Sequence, residues 1–388
     1  MQEHLVPRSC AQLFPSVVLA LALSLAVGAC GSDPPGEPAD GTSTSATSTE
    51  PPLTTTTSDE ETGNTGSGTG QGSGSLDGGS SSSGGDDTGS GLKLDLGVVP
   101  DAPPPVCGGA GSGDLELSYI WIANSAQGTI SKIDTVTMVE EGRYQARPFG
   151  GDPSRTSVNL AGDVAVANRN GGVTKFWAQE EDCQDTNGTP GIQTSSGVGD
   201  VKAWGEDDCL AWHTPLACGS NRPVAWTRGT FNEAECAYED MQLWTACDGN
   251  VLLLDGETGV IAETIPVPSG AGAFVYGGAA DADGNFWGLD MGTNNLFRVD
   301  YQTLDTDAWP LGPGGGYGIT VDSEGRPWTC GGGGVSRFDL GTSTWDFAGS
   351  VGGIGGCMTD GDQLIWHSNP SGLLLGYNIE TLDVDEEI

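Results

Sequence analysis

Short apolar runs separated by glycine-rich or acidic turns recur through the second half of the chain. In Val335-Ser336-Arg337-Phe338-Asp339-Leu340 and in Leu296-Phe297-Arg298-Val299-Asp300, large apolar side chains alternate with polar ones. A period of two residues is that of a half-buried β-strand, whereas an amphipathic helix would show a period of about 3.6. The pattern therefore predicts an all-β domain built of short strands.

These strands belong to a repeat. Each unit has a strand with a central Trp or Val, a polar turn, a second alternating strand and then an acidic or Thr/Gly turn. The central residues are spaced 45, 78, 43, 41 and 38 positions apart; they are Trp121, Val166, Trp244, Trp287, Trp328 and Trp366. A repeat of about 40 residues made of short strands predicts the blades of a β-propeller. Six blades fit best, and the 78-residue spacing leaves room for a seventh.

Glycine-rich segments are expected on the innermost strands, where blades converge and side chains must be small. The run from Gly314 to Ile319 is such a segment. Two acidic turns, 281–284 and 322–325, then lead into the tryptophan strands.

The repeat resembles the superfamily of streptogramin-lyase-like, NHL and SMP-30-like propellers. Residues 318–328 (GITVDSEGRPW) are similar to the GI-x-x-D-x-x-G-x-x-W unit of that superfamily, and 335–339 (VSRFD) to its I-x-R-I-D strand. Residues 280–300 repeat the match. The resemblance covers about residues 115–388 and implies a fold rather than an activity, since propellers serve many functions.

The N-terminus reads as a lipoprotein signal peptide over residues 1–30. An apolar core, Ser16–Ala26, is too short to span a membrane as a mature helix. It is followed by Val27-Gly28-Ala29-Cys30, which resembles a lipobox and predicts lipidation of Cys30. The alternative is an ordinary secretory signal cleaved near Ala29. Gly31, where some lipoproteins carry Asp, favours the outer membrane or cell surface.

Residues 31–105 are expected to form a disordered acidic tether ahead of a propeller domain at 106–388. From Gly31 to Gly91 the chain is mostly Gly, Ser, Thr and Pro and contains no Lys or Arg. Such a segment has too little apolar surface to offset the entropy of ordering it. The order of cysteine, tether and propeller resembles that of uncharacterised myxobacterial lipoproteins.

The net charge of -39, from 14 Lys+Arg and 53 Asp+Glu, argues against two kinds of partner, nucleic acid and anionic lipid surfaces. Nucleic-acid binding needs clustered cations, and so does electrostatic docking on anionic lipid. Contact with a membrane is therefore expected through the N-terminal lipid alone.

The 78-residue spacing predicts an insertion at about 179–240. Eight cysteines follow residue 105, namely Cys107, Cys183, Cys209, Cys218, Cys236, Cys247, Cys330 and Cys357. An even number in an exported chain indicates disulfides. Eight cysteines allow 105 connectivities, which leaves the pairing open. Cys330 with Cys357 is plausible because they fall on neighbouring strands of successive blades, and Cys183 with Cys209 would close the insertion. A zinc site is the alternative, but the chain has no CxxC and few histidines.

Part of the insertion resembles an EF-hand-type calcium loop. Its oxygen ligands would come from Asp185, Asn187, Thr189 and the Gly191 carbonyl, with Glu206 and Asp208 as added carboxylates. It departs from the calcium pattern in having Pro190 at the turn glycine and Ser196 at the bidentate Glu. The other interpretation is a solvated turn.

Catalytic residues are scarce. Only His213 and His367 remain after the signal peptide, and the inner-strand segments where the lyases of this superfamily hold histidines read Gly316-Tyr317-Gly318 and Val275-Tyr276-Gly277. Lactonases of the superfamily use Asn, Asp and Glu around a metal. The recurrent Asn and Asp after the central strand positions are better explained by turn chemistry; they are Asn124, Asn168, Asp248, Asp290 and Asn369.

No catalytic residue is therefore assigned, and the chain is expected to be a lipid-anchored, non-catalytic binding or envelope-structural propeller. A protein or glycan would bind one face. The alternative is a metal-dependent propeller enzyme, a streptogramin-type lyase or a lactonase-like hydrolase.

Overall fold

The computed structural model describes residues 118–232, 237–270, 272–349, 355–368 and 372–388. The signal peptide, the tether and the lipidation residue Cys30 lie outside these ranges. So do Cys107, Cys236 and Asn369.

The described residues form antiparallel sheets of consecutive strands, which are the blades. Blade 1 has β1 (Tyr119–Asn124), β2 (Thr129–Asp134) and β3 (Glu140–Gln145). Blade 2 has β4 (Pro153–Val158), β5 (Val164–Asn168), β6 (Val173–Phe176) and β7 (Leu210–Thr214). Blade 3 has β8 (Val224–Trp226), β11 (Gln242–Cys247), β12 (Asn250–Asp255) and β13 (Ile261–Pro266). A hairpin of β9 (Thr230–Asn232) and β10 (Ala237–Glu239) lies between β8 and β11.

The last three blades have four strands each. Blade 4 has β14 (Val275–Ala280), β15 (Phe286–Asp290), β16 (Asn295–Val299) and β17 (Thr306–Pro310). Blade 5 has β18 (Gly318–Val321), β19 (Pro327–Gly331), β20 (Gly334–Asp339) and β21 (Thr344–Gly349). Blade 6 has β22 (Cys357–Thr359), β23 (Leu364–Ser368), β24 (Leu374–Asn378) and β25 (Val384–Glu387). Two single-turn 3-10 helices, Ser125–Gln127 and Glu180–Asp182, complete the elements of the described residues.

The blades are arranged as a six-bladed β-propeller, as the repeat predicted. The innermost strands β4, β8, β14, β18 and β22 contact one another in that order around a central channel. The 78-residue spacing contains no seventh blade in the residues described; it holds β7, β8 and the hairpin instead.

Apolar side chains on the faces of the blades form the cores between them. Five clusters join successive blades from blade 1 to blade 6. The central Trp244, Trp287 and Trp328 are buried in them, which is why these positions recur along the chain. Each indole N–H also has a partner, since Trp244 donates to the Gly284 carbonyl and the other two donate to Asp281 and Asp322.

The turn between the third and fourth strands of a blade has its own signature. In blade 3, Asp255 Oδ1 accepts the backbone N–H of Thr258 at 2.8 Å and its hydroxyl at 2.6 Å. Equivalent turns begin at Asp134, Asp300, Asp339 and Asn378. The next residue after the Thr has a positive φ, as at Leu304 with 62°. These turns therefore identify the third and fourth strands of a blade.

The insertion predicted at 179–240 is divided in two by strands of the propeller. Residues 177–209 replace the turn between β6 and β7, and residues 227–241, with the hairpin, join β8 to β11. The sequence did not separate them because β7 and β8 have only five and three residues and lie among turn residues.

Disulfides join Cys183 to Cys209, Cys218 to Cys247 and Cys330 to Cys357. The first closes the insertion of blade 2. The last links β19 of blade 5 to β22 of blade 6. Both pairs that the sequence favoured are thus present.

Candidate functional site

Arginine and tyrosine side chains gather at one end of the central channel, which we call the channel mouth. It is the end where the inner strands begin and the second strands of the blades finish. Arg155 lies on β4 and Tyr276 on β14, while Arg222 lies two residues before β8 and Tyr317 immediately before β18. Four inner strands therefore converge on this cluster.

Arg155 reaches across the channel. Its Nε donates to the Tyr276 carbonyl at 3.1 Å and its Nη2 to the Tyr317 carbonyl at 2.8 Å. Because Arg155 belongs to blade 2 and the tyrosines to blades 4 and 5, one guanidinium connects three blades. The contact also places a positive charge within the channel.

Arg222 packs on an aromatic ring. Its guanidinium carbon lies 4.0 Å from the centre of the Tyr276 ring, and its Nη2 donates to the Tyr276 hydroxyl at 2.9 Å. The Tyr276 and Tyr317 ring centres are 5.3 Å apart, and Phe274 lies 5.8 Å from Tyr276. This is a cation–π arrangement with an extended aromatic wall.

One hydrogen-bond donor of this cluster has no partner, since the Nε of Arg222 is buried without a hydrogen bond. Burial lowers the pKa of Arg222, and the nearby positive charge of Arg169 lowers it further. A guanidinium remains charged in any case. Because the Arg222 side chain as a whole is only partly buried, the rest of its guanidinium can still donate to an added acceptor.

The Tyr276 hydroxyl is a neutral hydrogen-bonding group at physiological pH. Burial raises the pKa of Tyr276, and the hydrogen bond with Tyr317 raises it further. Neither change favours a phenolate. The channel mouth thus combines the neutral Tyr276 hydroxyl with positive charge, in a chain whose net charge is -39.

A cavity of about 230 Å³ adjoins the cluster through Phe274. Ser220 and Asp248 also line it. The sulfur atoms of Cys218 and Cys247 and a carboxylate oxygen of Asp248 lie within 4.8 Å of one another. Among the described residues this is the one group of three side chains of the kinds that bind metal ions. Because the two cysteines form a disulfide, their sulfurs are not thiolate ligands.

The recurrent Asn and Asp residues stand at the ends of the second strands or in the turns that follow, and most of their side-chain bonds run to neighbouring strands rather than within a turn. Asn168 Oδ1 accepts the N–H of Asp152, and Asp290 accepts the N–H groups of Phe274 and Gly292. In both blades the side chain joins the end of the second strand to the start of the inner strand. Asn124 bonds two hydroxyls of β2. Asp248 is exposed and has a positive φ in the turn after β11.

The carboxylates of the proposed calcium loop are bonded to the protein. Asp208 accepts N–H groups of Thr186, Asn187 and Gln193, and Asp185 accepts that of Gly191. The Asn187 side chain turns back to accept the Thr189 N–H, as in an Asx turn. Asp185, Glu206 and Asp208 do not come together as one ligand group in the described residues. Calcium at this loop stays a prediction.

Neither histidine of the propeller belongs to the cluster at the channel mouth. His213 lies on β7, the outermost strand of blade 2, where its Nδ1 is 2.8 Å from the Thr174 hydroxyl. His367 is fully buried in blade 6, near Tyr377.

His213 makes stability depend on pH. Burial, with a further contribution from Arg147, lowers its pKa from 6.5 to about 4. The unfolded chain therefore binds the proton more tightly, so this contribution is complete above pH 6.5 and is lost as the pH falls toward 4. The limit is ~1.4 kcal/mol per pH unit, and solvent screening of the partly exposed ring reduces the expected total to about 1 kcal/mol between pH 7 and pH 5.

Urea unfolding of wild type and His213→Gln at pH 7 and pH 5 measures this effect. Glutamine keeps a hydrogen-bonding side chain without titrating. The loss of stability between the two pH values should be smaller in the variant. An equal loss in both proteins would show that His213 does not titrate as described.

Comparison with solved structures places the fold among known propellers. A streptogramin B lyase structure superposes with a TM-score of 0.51 at 14% identity, over 70% of this chain and 79% of that one. Virginiamycin B lyase from Staphylococcus aureus gives 0.46 at 12% identity, over 68% and 81%. BamB from Moraxella catarrhalis gives 0.42 at 14% identity, over 76% and 73%. At these identities the likeness establishes the propeller fold alone.

No protein-family model matches the chain, and no curated protein sequence does. In the part of the chain that the structure describes, no helix is long and apolar enough to cross a membrane.

The sequence missed the arginines of the channel mouth. Tyr276 and Tyr317 were noted only as positions without histidine. The scarcity of cations could have indicated them, because the chain has only 14 Lys+Arg. Against that background, Arg155 and Arg222 stand out near the starts of two inner strands.

Proposed function

We propose that this protein is an exported, lipid-anchored binding module whose channel mouth binds a ligand bearing a carboxylate beside an aromatic or other flat group. The observation that carries the proposal is Arg222, a partly exposed cation stacked on Tyr276 in a strongly acidic chain. The lipid at Cys30 and the tether would hold the domain at the cell surface.

The chemistry of the cluster favours that ligand class. A guanidinium matches a carboxylate through two parallel hydrogen bonds, and the contact is stronger than a neutral one. Tyr276, Tyr317 and Phe274 provide apolar faces on which a flat group can stack. A protein or a glycan can present such a group.

Two features favour binding over the lyase or lactonase alternative. Among the described residues the histidines contact Thr174, Trp204 and Tyr377 rather than the cluster, so neither is placed as its general base. The raised pKa of Tyr276 keeps its hydroxyl protonated, which suits a hydrogen-bond donor rather than a base.

Calorimetric titration with benzoate, and with benzamide as its uncharged counterpart, tests the proposal. A small ligand of this size is expected to bind with a Kd of about 1 mM. Benzamide should bind at least ~10-fold more weakly because it lacks the charge-assisted hydrogen bond. Titration at 0.15 M salt screens the repulsion from the acidic surface.

Arg222→Gln should weaken benzoate binding by about 10-fold or more. Arg143→Gln is the matched control, because Arg143 lies on the outermost strand of blade 1 and pairs with Glu140. Equal binding of benzoate and benzamide, or equal losses in both variants, would contradict the proposal.

A further inference from the structure

A second arginine, Arg169, lies beside Arg222 at the channel mouth. Arg169 directly follows β5 of blade 2, and its Nη1 donates to the carbonyl of Pro153, the first residue of the inner strand β4. Further along β4, the Ser157 carbonyl accepts the indole N–H of Trp226 on β8 at 3.1 Å, so the two inner strands are aligned there. Both strands run away from the mouth, and four residues before this contact are Pro153 on one side and Arg222 on the other. Arg169 and Arg222 therefore lie at about the same level on neighbouring blades.

Arg169 still has donors for a ligand. Its side chain is 30% exposed, and it forms an ion pair with Asp152 at 2.6 Å. Within the part of the chain that the structure describes, its hydrogen bonds to Asp152, Ser125 and Pro153 all use Nη1. The opposite edge of the guanidinium, formed by Nε and Nη2, is the edge that a carboxylate meets with two parallel hydrogen bonds.

Positive charge is concentrated at this mouth. The guanidinium carbons of Arg155 and Arg222 lie 5.2 and 4.0 Å from the centre of the same Tyr276 ring. Burial lowers the pKa of Arg222 most, the charge of Arg169 lowers that pKa further, and the Asp152 carboxylate raises it. Three guanidinium groups thus gather around one ion-paired carboxylate in a chain whose net charge is -39. A ligand with a single negative charge leaves this mouth positive, and a second anionic group is attracted to it.

We propose that the channel mouth binds a flat dicarboxylate, with one carboxylate on Arg222 and the second on the Nε–Nη2 edge of Arg169. This inference rests on the proposed function and narrows its ligand class. Two guanidinium groups on neighbouring blades match two separate carboxylates better than one compact phosphate. Asp152 competes with the second carboxylate for Arg169, so this ion pair limits how tightly the ligand binds.

Calorimetric titration of the full chain with benzoate, isophthalate and terephthalate tests the number of anionic positions. At least one of the two dicarboxylates should bind ~10-fold or more tightly than benzoate, because it adds a charge-assisted contact. Phenyl phosphate, which carries its charges on one group, should bind less tightly than that dicarboxylate.

The failures of the two proposals differ in this experiment. If benzoate binds and neither dicarboxylate binds more tightly, or if phenyl phosphate binds most tightly of all, the second carboxylate position is overturned and the proposed function stands. If none of the ligands binds, the proposed function is overturned and this inference with it.

Two variants assign the second position to Arg169. Arg169→Gln should lower dicarboxylate affinity to about that of benzoate, while benzoate affinity stays within ~3-fold of wild type at 0.15 M salt. Asp152→Asn should have the opposite effect and raise dicarboxylate affinity by ~2- to 5-fold, because it removes an exposed ion pair that competes for Arg169. A gain of affinity is not expected if Asp152 and Arg169 serve only the fold.

Asp346→Asn is the matched control, since Asp346 pairs with Arg337 at 2.7 Å on the outer strands of blade 5 and should leave both affinities unchanged. Equal losses of benzoate and dicarboxylate affinity in Arg169→Gln would overturn the assignment. So would weaker dicarboxylate binding by Asp152→Asn, or the same gain in Asp346→Asn.

Discussion

Replacing Lys175 by methionine is expected to destabilise the propeller by about 3–5 kcal/mol. Its side chain is only 1% exposed, and its Nζ lies 3.2 Å from Asp163 Oδ2. It also donates to the Gly256 carbonyl of blade 3 and stands 3.9 Å from the centre of the Trp177 ring. Methionine has a similar volume but leaves the buried Asp163 carboxylate without its cation, which is the costly outcome.

Urea unfolding of Lys175→Met and of the control Lys202→Met gives the two free energies of unfolding. Their comparison distinguishes the loss of a buried ion pair from the loss of a positive charge alone. Lys202 pairs with Asp200 at 2.7 Å, but both side chains are substantially exposed. An exposed ion pair contributes less than about 1 kcal/mol, so the control should unfold close to wild type. Equal midpoints for the two variants would mean that Lys175 has no special role between blades 2 and 3.

Removing the Cys330–Cys357 disulfide is expected to cost about 3 kcal/mol. The bond closes a loop with a sequence separation of 27 and links blade 5 to blade 6. Its loss restores conformational freedom to the unfolded chain. Alanine at both positions avoids leaving free thiols, and thermal unfolding under oxidising conditions gives the change.

Cys183→Ala with Cys209→Ala is the matched comparison, since that loop has a separation of 26. If loop entropy dominates, the two double variants should lose equal stability. A much larger loss at 330–357 would instead show that the bond holds the blades together in the folded state. No loss in either variant would contradict the contribution of both bonds.

The repeated parts of the fold could be predicted because one physical requirement recurs in each blade. Trp244, Trp287 and Trp328 fill equivalent sites between blades, so their spacing revealed the period. The 330–357 disulfide was suggested by where its cysteines fall in that period, and the 183–209 disulfide by the insertion that its cysteines flank. Six blades were preferred for the same reason, and the structure confirms them.

The irregular parts of the fold could not be predicted from the sequence because their strands are short and are defined by tertiary contacts. β8 has only three residues, VAW, and becomes a strand through pairing with β11. A pattern of period two cannot be recognised in three residues, so β8 was included in the insertion.

The candidate site was hidden for a different reason. Arg155 meets the carbonyls of residues 121 and 162 positions further along the chain. No local pattern connects residues so far apart; the propeller brings them together by placing the starts of its inner strands at one mouth. The recurrent Asn and Asp residues were visible because they follow the central residue of each repeat, but their partners across the strands, such as Asp152 for Asn168, could not be read from the pattern.

The most direct measurement is a crystal structure of the protein soaked with 4-bromobenzoate, using the anomalous signal of bromine to locate the ligand. The account predicts one site at the channel mouth, with the carboxylate on the Arg222 guanidinium and the ring stacked near Tyr276 or Tyr317. The same soak of Arg222→Gln should lose that site. Bromine bound elsewhere, or retained at the mouth of the variant, would contradict a carboxylate site built on Arg222.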